Sequence, residues 1–183
     1  MIKKVLGLGL VALALAACGD KVHEITPILD GPAAATSATT APASPTPDPL
    51  LKKVGEIARW EDGATAAVAS LKKYTPSGSA AGHQPGNLAF EASVTIGTTT
   101  STPLDLSLAS VQARAGAQGA QCEALFDSAK GVSGTFQGTV SGGRSVTVRM
   151  AWSCPADAGL GQIALQVQPT WNHNPATFEG GVA

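Results

Sequence analysis

The chain alternates between apolar and polar positions through most of its second half. Leu88, Phe90, Ala92, Val94 and Ile96 interleave with Ala89, Glu91, Ser93, Thr95 and Gly97. Val146, Val148, Met150 and Trp152 interleave with Ser145, Thr147, Arg149 and Ala151; Ile163, Leu165 and Val167 interleave with Gln162, Ala164, Gln166 and Gln168. Successive side chains of a strand point to opposite faces, so a period of two sends one set to the core and the other to water. Weaker segments with the same character are Thr65 to Tyr74, diluted by alanine, then Leu104, Leu106 and Leu108, then Phe136 and Val140 among glycines. The phase predicts that Phe90, Val94, Ile96, Leu106, Val146, Val148, Trp152 and Leu165 share one interior. It places Glu91, Thr95, Thr147, Arg149 and Gln166 on the solvent side.

Turn residues separate these runs. Thr75-Pro76-Ser77-Gly78 and Gln84-Pro85-Gly86-Asn87 break the chain after the first long strand, and Ser141-Gly142-Gly143-Arg144 predicts a tight hairpin. Pro155 ends the Trp152 strand, because proline cannot donate to a ladder. Leu50, Leu51, Val54, Ile57 and Ala58 are spaced for a short amphipathic helix, with a first strand as the other reading of that region. Ala109 to Ala129, rich in alanine and glycine, reads as a long loop with room for one helical turn. Six or seven short strands without intervening helices predict an all-β fold, an antiparallel β-sandwich.

The N-terminus has a different character. Lys3 and Lys4 precede an apolar or glycine run from Val5 to Ala17, too short to span a bilayer. Leu15-Ala16-Ala17-Cys18 closes that run and resembles the lipobox of bacterial lipoproteins, in which the cysteine is acylated and the peptide is cut before it. An ordinary secretory signal is the competing reading. Gly31 to Pro49 contains five prolines and no large apolar side chain. Such a segment cannot bury enough surface to offset the entropy of ordering, so it is expected to be a disordered spacer. The resulting division is a signal peptide over 1–17, acylated Cys18 with its spacer over 18–58, and a sandwich domain over 59–183.

Composition narrows the function. Only 14% of the 183 residues are charged and the formal net charge is -1. Losing Lys3 and Lys4 with the leader reduces 12 basic side chains to 10, against 13 acidic ones. Such a chain is not expected to bind nucleic acid, which needs clustered Lys and Arg. Attachment to the membrane would come through covalent lipid at Cys18, palmitate included, with several acyl chains holding where one would not. With Cys18 consumed, Cys122 and Cys154 remain as a disulfide pair in an oxidising compartment. Their bridge would close a loop of about 32 residues, with a stabilisation of about 3–4 kcal/mol in the chain-entropy picture. Two free thiols in redox chemistry are the alternative.

Several short motifs, in order, resemble one family. Trp60-Glu61-Asp62-Gly63, Phe90-Glu91-Ala92-Ser93-Val94-Thr95-Ile96, Pro103-Leu104-Asp105-Leu106, Phe126-Asp127-Ser128, Gly134-Thr135-Phe136, Gly143-Arg144-Ser145-Val146-Thr147-Val148 with Pro155, and Phe178-Glu179-Gly180 run through most of the domain. In order and spacing they resemble the telokin-like, immunoglobulin-fold lipoprotein family of Gram-positive bacteria, a family of unknown function similar to secreted mycobacterial immunogenic antigens. Ile96-Gly97-Thr98-Thr99 and Gly142-Gly143 depart from its usual asparagine and Pro-Gly. The resemblance implies an immunoglobulin-like sandwich on the outer face of the cytoplasmic membrane. It supplies no catalytic residues.

Candidate chemistry is sparse. The sequence carries no nucleophile elbow, zincin, phosphate-loop or calcium-loop pattern. His23 and His83 have no neighbours at metal-ligand spacing, so neither a metal nor a cofactor is implied. Trp171-Asn172-His173-Asn174 is a candidate recognition patch; the plainer reading packs Trp171 on the sandwich rim. Asp105 and Asp127 read as turn or capping residues before an acid pair. The expectation is a non-enzymatic binding or interaction module with an unidentified protein or small-molecule partner. The alternative is a solute- or lipid-carrying lipoprotein with an internal apolar cavity.

Overall fold

The structure is a computed structural model that describes residues 48–182. The signal peptide, Cys18, His23 and the spacer as far as Pro47 lie outside the described residues. Eleven strands form the fold: β1 (Leu51–Lys53), β2 (Ile57–Arg59), β3 (Ala64–Lys73), β4 (Leu88–Thr98), β5 (Leu104–Asp105), β6 (Ser110–Ala115), β7 (Ala120–Leu125), β8 (Thr139–Val140), β9 (Ser145–Cys154), β10 (Ile163–Gln168) and β11 (Ala176–Gly180). Nine run in the order β1-β11-β10-β6-β7-β9-β4-β3-β2, and β5 pairs with β8 separately. One layer is β1-β11-β10-β6 and the other is β9-β4-β3-β2. β7 joins them: Ala113↔Cys122 pairs it with β6, and Glu123↔Ser153 pairs it with β9. All pairings are antiparallel except β1 with β11, which is parallel. This is an immunoglobulin-like β-sandwich.

The predicted phase matches the layers. Phe90, Val94, Ile96, Leu106, Trp152 and Leu165 are buried in one cluster, and Val146 and Val148 pack half-buried against it. Phe90 and Trp152 lie opposite each other on β4 and β9 with their rings stacked, centroids 5.2 Å apart. Thr147 and Arg149 are exposed, whereas Glu91, Thr95 and Gln166 are half-buried under their neighbours. In β3 the alternation Ala64, Ala66, Val68 is broken by a bulge between Ala69 and Lys72, where Ser70 takes a φ of 31°, and Leu71 becomes the next buried residue. The Cys122–Cys154 disulfide is present, its α-carbons 4.3 Å apart, where β7 passes from one layer to the other.

The structure corrects five expectations. The segment at 50–60 is no helix: β1 pairs with β11, and β2 with β3, across a turn at Gly55 with a φ of 99°. A helix of that length is marginal in water, and ladder partners outcompete it. The sandwich accordingly begins at Leu51, not at residue 59. The loop expected over 109–129 contains the hairpin β6–β7, turning at Gly116 and Gly119, both at positive φ; the one helical turn is a short 3-10 element at Ser128–Lys130. Ser141 to Arg144 does form a turn, closed by Arg144 N to Ser141 O at 3.1 Å, but β8 pairs with β5 instead of with β9. Finally, the Leu104 alternation stops at Leu106, and Leu108 is 64% exposed.

Candidate functional site

The loops at the two ends of β3 make different structures. At the start of β3, the turn Trp60–Gly63 meets the loop that joins β10 to β11. Gly63 holds a φ of 90°, its N–H bonds Trp60 O at 3.0 Å, and an added Cβ would press on Thr99 and Thr100. Gln168 organises the opposing loop, its amide donating to His173 O at 2.8 Å and Trp171 O at 3.2 Å. That brings His173 inward. Its Nε2 lies 3.0 Å from Asp62 Oδ2 and its Nδ1 lies 2.6 Å from Thr170 Oγ1. The Asp62 carboxylate only accepts, so Nε2 is the donor in that contact. Trp60 completes the clasp: its Nε1 donates to Asn174 O at 3.0 Å, and its ring meets the His173 imidazole edge-on, centroids 5.4 Å apart.

The candidate patch Trp171–Asn174 is thus split. His173 is buried, and Trp171, expected on the rim, stands 75% exposed. The reason is the turn at Thr170, closed by His173 N to Thr170 O at 3.2 Å, which sends adjacent side chains in opposite directions. Asn172 and Asn174 are exposed beside it. Beneath them opens a concavity of about 520 Å³, lined by Leu50, Arg59, Trp60, Glu61, Asn172 and Asn174 among others. A second, of about 200 Å³, is lined by Asp105, Leu108, Thr170, Trp171 and Asn172. Asn172 borders both. The exposed side chains of Arg59, Glu61 and Asn174 take no part in the clasp.

The Thr170–His173–Asp62 chain contains the residue types of a nucleophile relay. In a relay the carboxylate is buried, to hold an imidazolium. Here the Asp62 side chain is the open member, 55% exposed against 7% for His173. The arrangement pins two loops together. The sequence marks His173 but does not pair it with Asp62, which lies 111 positions away.

The other end of β3 is a closed lock. Asp127, read as a turn residue, is fully buried and accepts from Tyr74 OH at 2.7 Å, Ser77 N at 2.8 Å and Ser77 Oγ at 2.7 Å. Burial pushes its carboxyl up, but the Ser77 hydroxyl and N–H, the Tyr74 hydroxyl and the Lys130 charge outweigh that and bring it down to about 2. Tyr74 is pushed up to about 12, by burial first and then by Asp127. Asp105 sits apart from Asp127, exposed on the surface. It accepts from Ser107 Oγ at 2.6 Å and Ser107 N at 2.9 Å, which lowers its pKa. The two carboxylates are not an acid pair. His83 reaches Ser153 Oγ at 3.2 Å, and no cluster of metal-ligating side chains occurs among the described residues.

No family model and no curated protein matches this sequence. Solved structures do resemble it. The candidate lipoprotein ycdA of Bacillus subtilis superposes with a TM-score of 0.52 at 16% identity, over 66% of this chain and 37% of its own. The chain therefore spans well under half of that protein. The yjhA protein of Bacillus subtilis superposes with a TM-score of 0.52 at 13% identity, over 72% of this chain and 99% of its own. The secreted protein MPT63 of Mycobacterium tuberculosis gives a TM-score of 0.49 at 17% identity, over 74% of this chain and 99% of its own. At these identities the first two likenesses show a shared sandwich fold.

Proposed function

We propose that this protein is a lipid-anchored binding module of the cell envelope, held by Cys18 on the outer face of the cytoplasmic membrane and acting without catalysis. The observation that carries this reading is the concavity beside the Asp62–His173 clasp. Its walls are pre-organised: Thr170 Oγ1 donates to Asn172 Oδ1, while the exposed polar groups of Arg59, Glu61 and Asn174 and the amide nitrogen of Asn172 remain for a ligand. Loops at the end of a rigid sandwich are a common place for recognition. The lipobox-like Leu15-Ala16-Ala17-Cys18 supports the address, in keeping with a candidate lipoprotein among proteins of this fold. The inverted burial of the Thr170–His173–Asp62 chain supports a role other than nucleophilic catalysis.

The carrier reading needs a chamber between the layers. That space is occupied by Phe90, Ile96, Leu106, Trp152, Leu165 and Phe178, which favours the binding module. Two measurements test the proposal. Cys18→Ala should leave the precursor uncut or release the protein from the membrane fraction; a mature chain without lipid in the wild type argues for simple secretion. Purified protein should also be retained on isolated cell envelopes, and charge reversal at Arg59 and Glu61 together should reduce that retention. Equal retention of the two proteins removes the concavity from the account.

A further inference from the structure

We propose that the two concavities, both bordered by Asn172, form one cleft for a neutral, unbranched oligosaccharide, two of whose rings stack on Trp60 and Trp171. This rests on the binding-module reading above. Three features of the cleft carry it. First, an indole stands in each half: Trp60, half-buried in the larger one, and Trp171, 75% exposed in the smaller. The negative face of an indole attracts the polarised C–H bonds of a pyranose, which itself has an apolar face and hydroxylated edges. Second, the polar groups that line the larger half with Trp60 suit those edges. Asn174 offers an amide that both donates and accepts, Asn172 an amide nitrogen that donates while its oxygen is held by Thr170 Oγ1, Glu61 accepts, and Arg59 donates. A hydroxyl pair needs this mixture, since each hydroxyl is donor and acceptor at once.

Third, charge argues against the other ligands that indoles attract. Among the described residues Arg59 is the only Lys or Arg lining either half, against Glu61, Asp62 and Asp105. A phosphate backbone would meet too few cations. An anionic lipid surface would face carboxylates where a membrane-binding patch carries Lys and Arg. A ligand without charge has neither difficulty. Trp60 is preset for the task, because the Asn174 carbonyl and the His173 ring fix its plane before any ligand arrives. Trp171 has no such support. It would become ordered on binding and supply a second stacked ring.

The experiment titrates purified full-length protein with cellohexaose, the β-1,4-linked hexamer of N-acetylglucosamine, and mannohexaose, followed by calorimetry and tryptophan emission. At least one of the three is expected to bind, with an emission change. Trp171→Ala should weaken that binding by about tenfold or more. The residue is exposed, so the variant should melt with the wild type and the loss will not reflect misfolding. Asn172→Ala should weaken binding in both halves. No response to any hexamer at millimolar concentration overturns the saccharide assignment, as does equal affinity in wild type and Trp171→Ala. Trp171-dependent binding to phosphatidylglycerol vesicles, with all three hexamers silent, overturns it in favour of a lipid surface. If the hexamers fail while envelope retention still depends on Arg59 and Glu61, the saccharide falls and the binding module stands. Loss of both removes both.

Discussion

β3 runs between two carboxylates that do opposite work. Asp127, at the Tyr74 end, is fully buried and has its acceptor sites filled by Tyr74 and Ser77. Asp62, at the Ala64 end, keeps a side chain 55% exposed while it holds a buried histidine. At the first end the buried carboxylate meets Tyr74 and Ser77 and Lys130 Nζ meets Thr75 O, and the Cys122–Cys154 bridge lies on that side of β9. The second end is pinned but unsaturated, with polar side chains and an indole turned outward. The contrast teaches that a fold's polar clusters are to be judged by the donors and acceptors left over, not by residue type. A satisfied cluster stabilises a loop. An unsatisfied one on a rigid frame is where a ligand can bind.

The comparison can be broken first at its closed end. Replacing Cys122 and Cys154 together by serine should cost about 3–4 kcal/mol, the loop-closure contribution for this separation. Hydrogen exchange should accelerate more around Leu125 and Ser153 than around Ala64. Uniform acceleration would show that the two ends do not differ in this way. Next in size is the lock itself. Tyr74→Phe removes one donor from a buried carboxylate and should cost about 1–3 kcal/mol in urea unfolding. A loss at the level of an ordinary surface site would mean that water replaces the hydroxyl.

The lock also has a pH signature. Asp127 has a folded pKa of about 2, below its ordinary 3.8. Its contribution is therefore complete above about pH 4 and is lost as pH falls towards 2. Tyr74 has a folded pKa of about 12, above its ordinary 10.0, so its contribution is complete below pH 10 and is lost as pH rises towards 12. Asp127→Asn should be less stable at neutral pH and should flatten the acid limb. An unchanged acid limb would assign that limb to other carboxylates.

Smaller effects test register and the open end. Val148→Ala should cost about 1 kcal/mol, the low side of a core truncation because Val148 is only half-buried. Thr147→Ala should stay within about half a kcal/mol, as a surface site does. The reverse order in chemical denaturation would contradict the β4–β9 register. Trp171→Ala should be the quietest of all in stability, within about half a kcal/mol, since its side chain leaves the protein surface. A clear drop in melting temperature would mean that the indole packs on the end loops.

Much of the fold was legible because alternation is written residue by residue. β4, β9 and β10 carry large apolar side chains on one face, and they are where the sequence predicts strands. β6 and β7 were missed because their buried positions include Ala113, Ala115 and Cys122, small side chains that give no contrast with the Gln and Arg between them. What makes them strands is the ladder with β10 on one side and β9 on the other. The same holds for β1 and β2, whose apolar spacing also suits a helix until β11 and β3 are in place.

The site divides in the same way. The sequence alone marked Trp171, Asn172, His173 and Asn174 as a cluster and paired Cys122 with Cys154, because composition and elimination act on residue identity. It placed the solvent phase of Thr147 and Arg149, because a period of two is local. Only the tertiary structure decided that His173 turns inward to Asp62, that Trp171 turns outward, and that Asp127 closes on Tyr74. The first and last of those choices depend on meetings across 111 and 53 positions of chain. A hydrogen bond over such a separation has no local signal. It exists only once the strands between have been laid side by side.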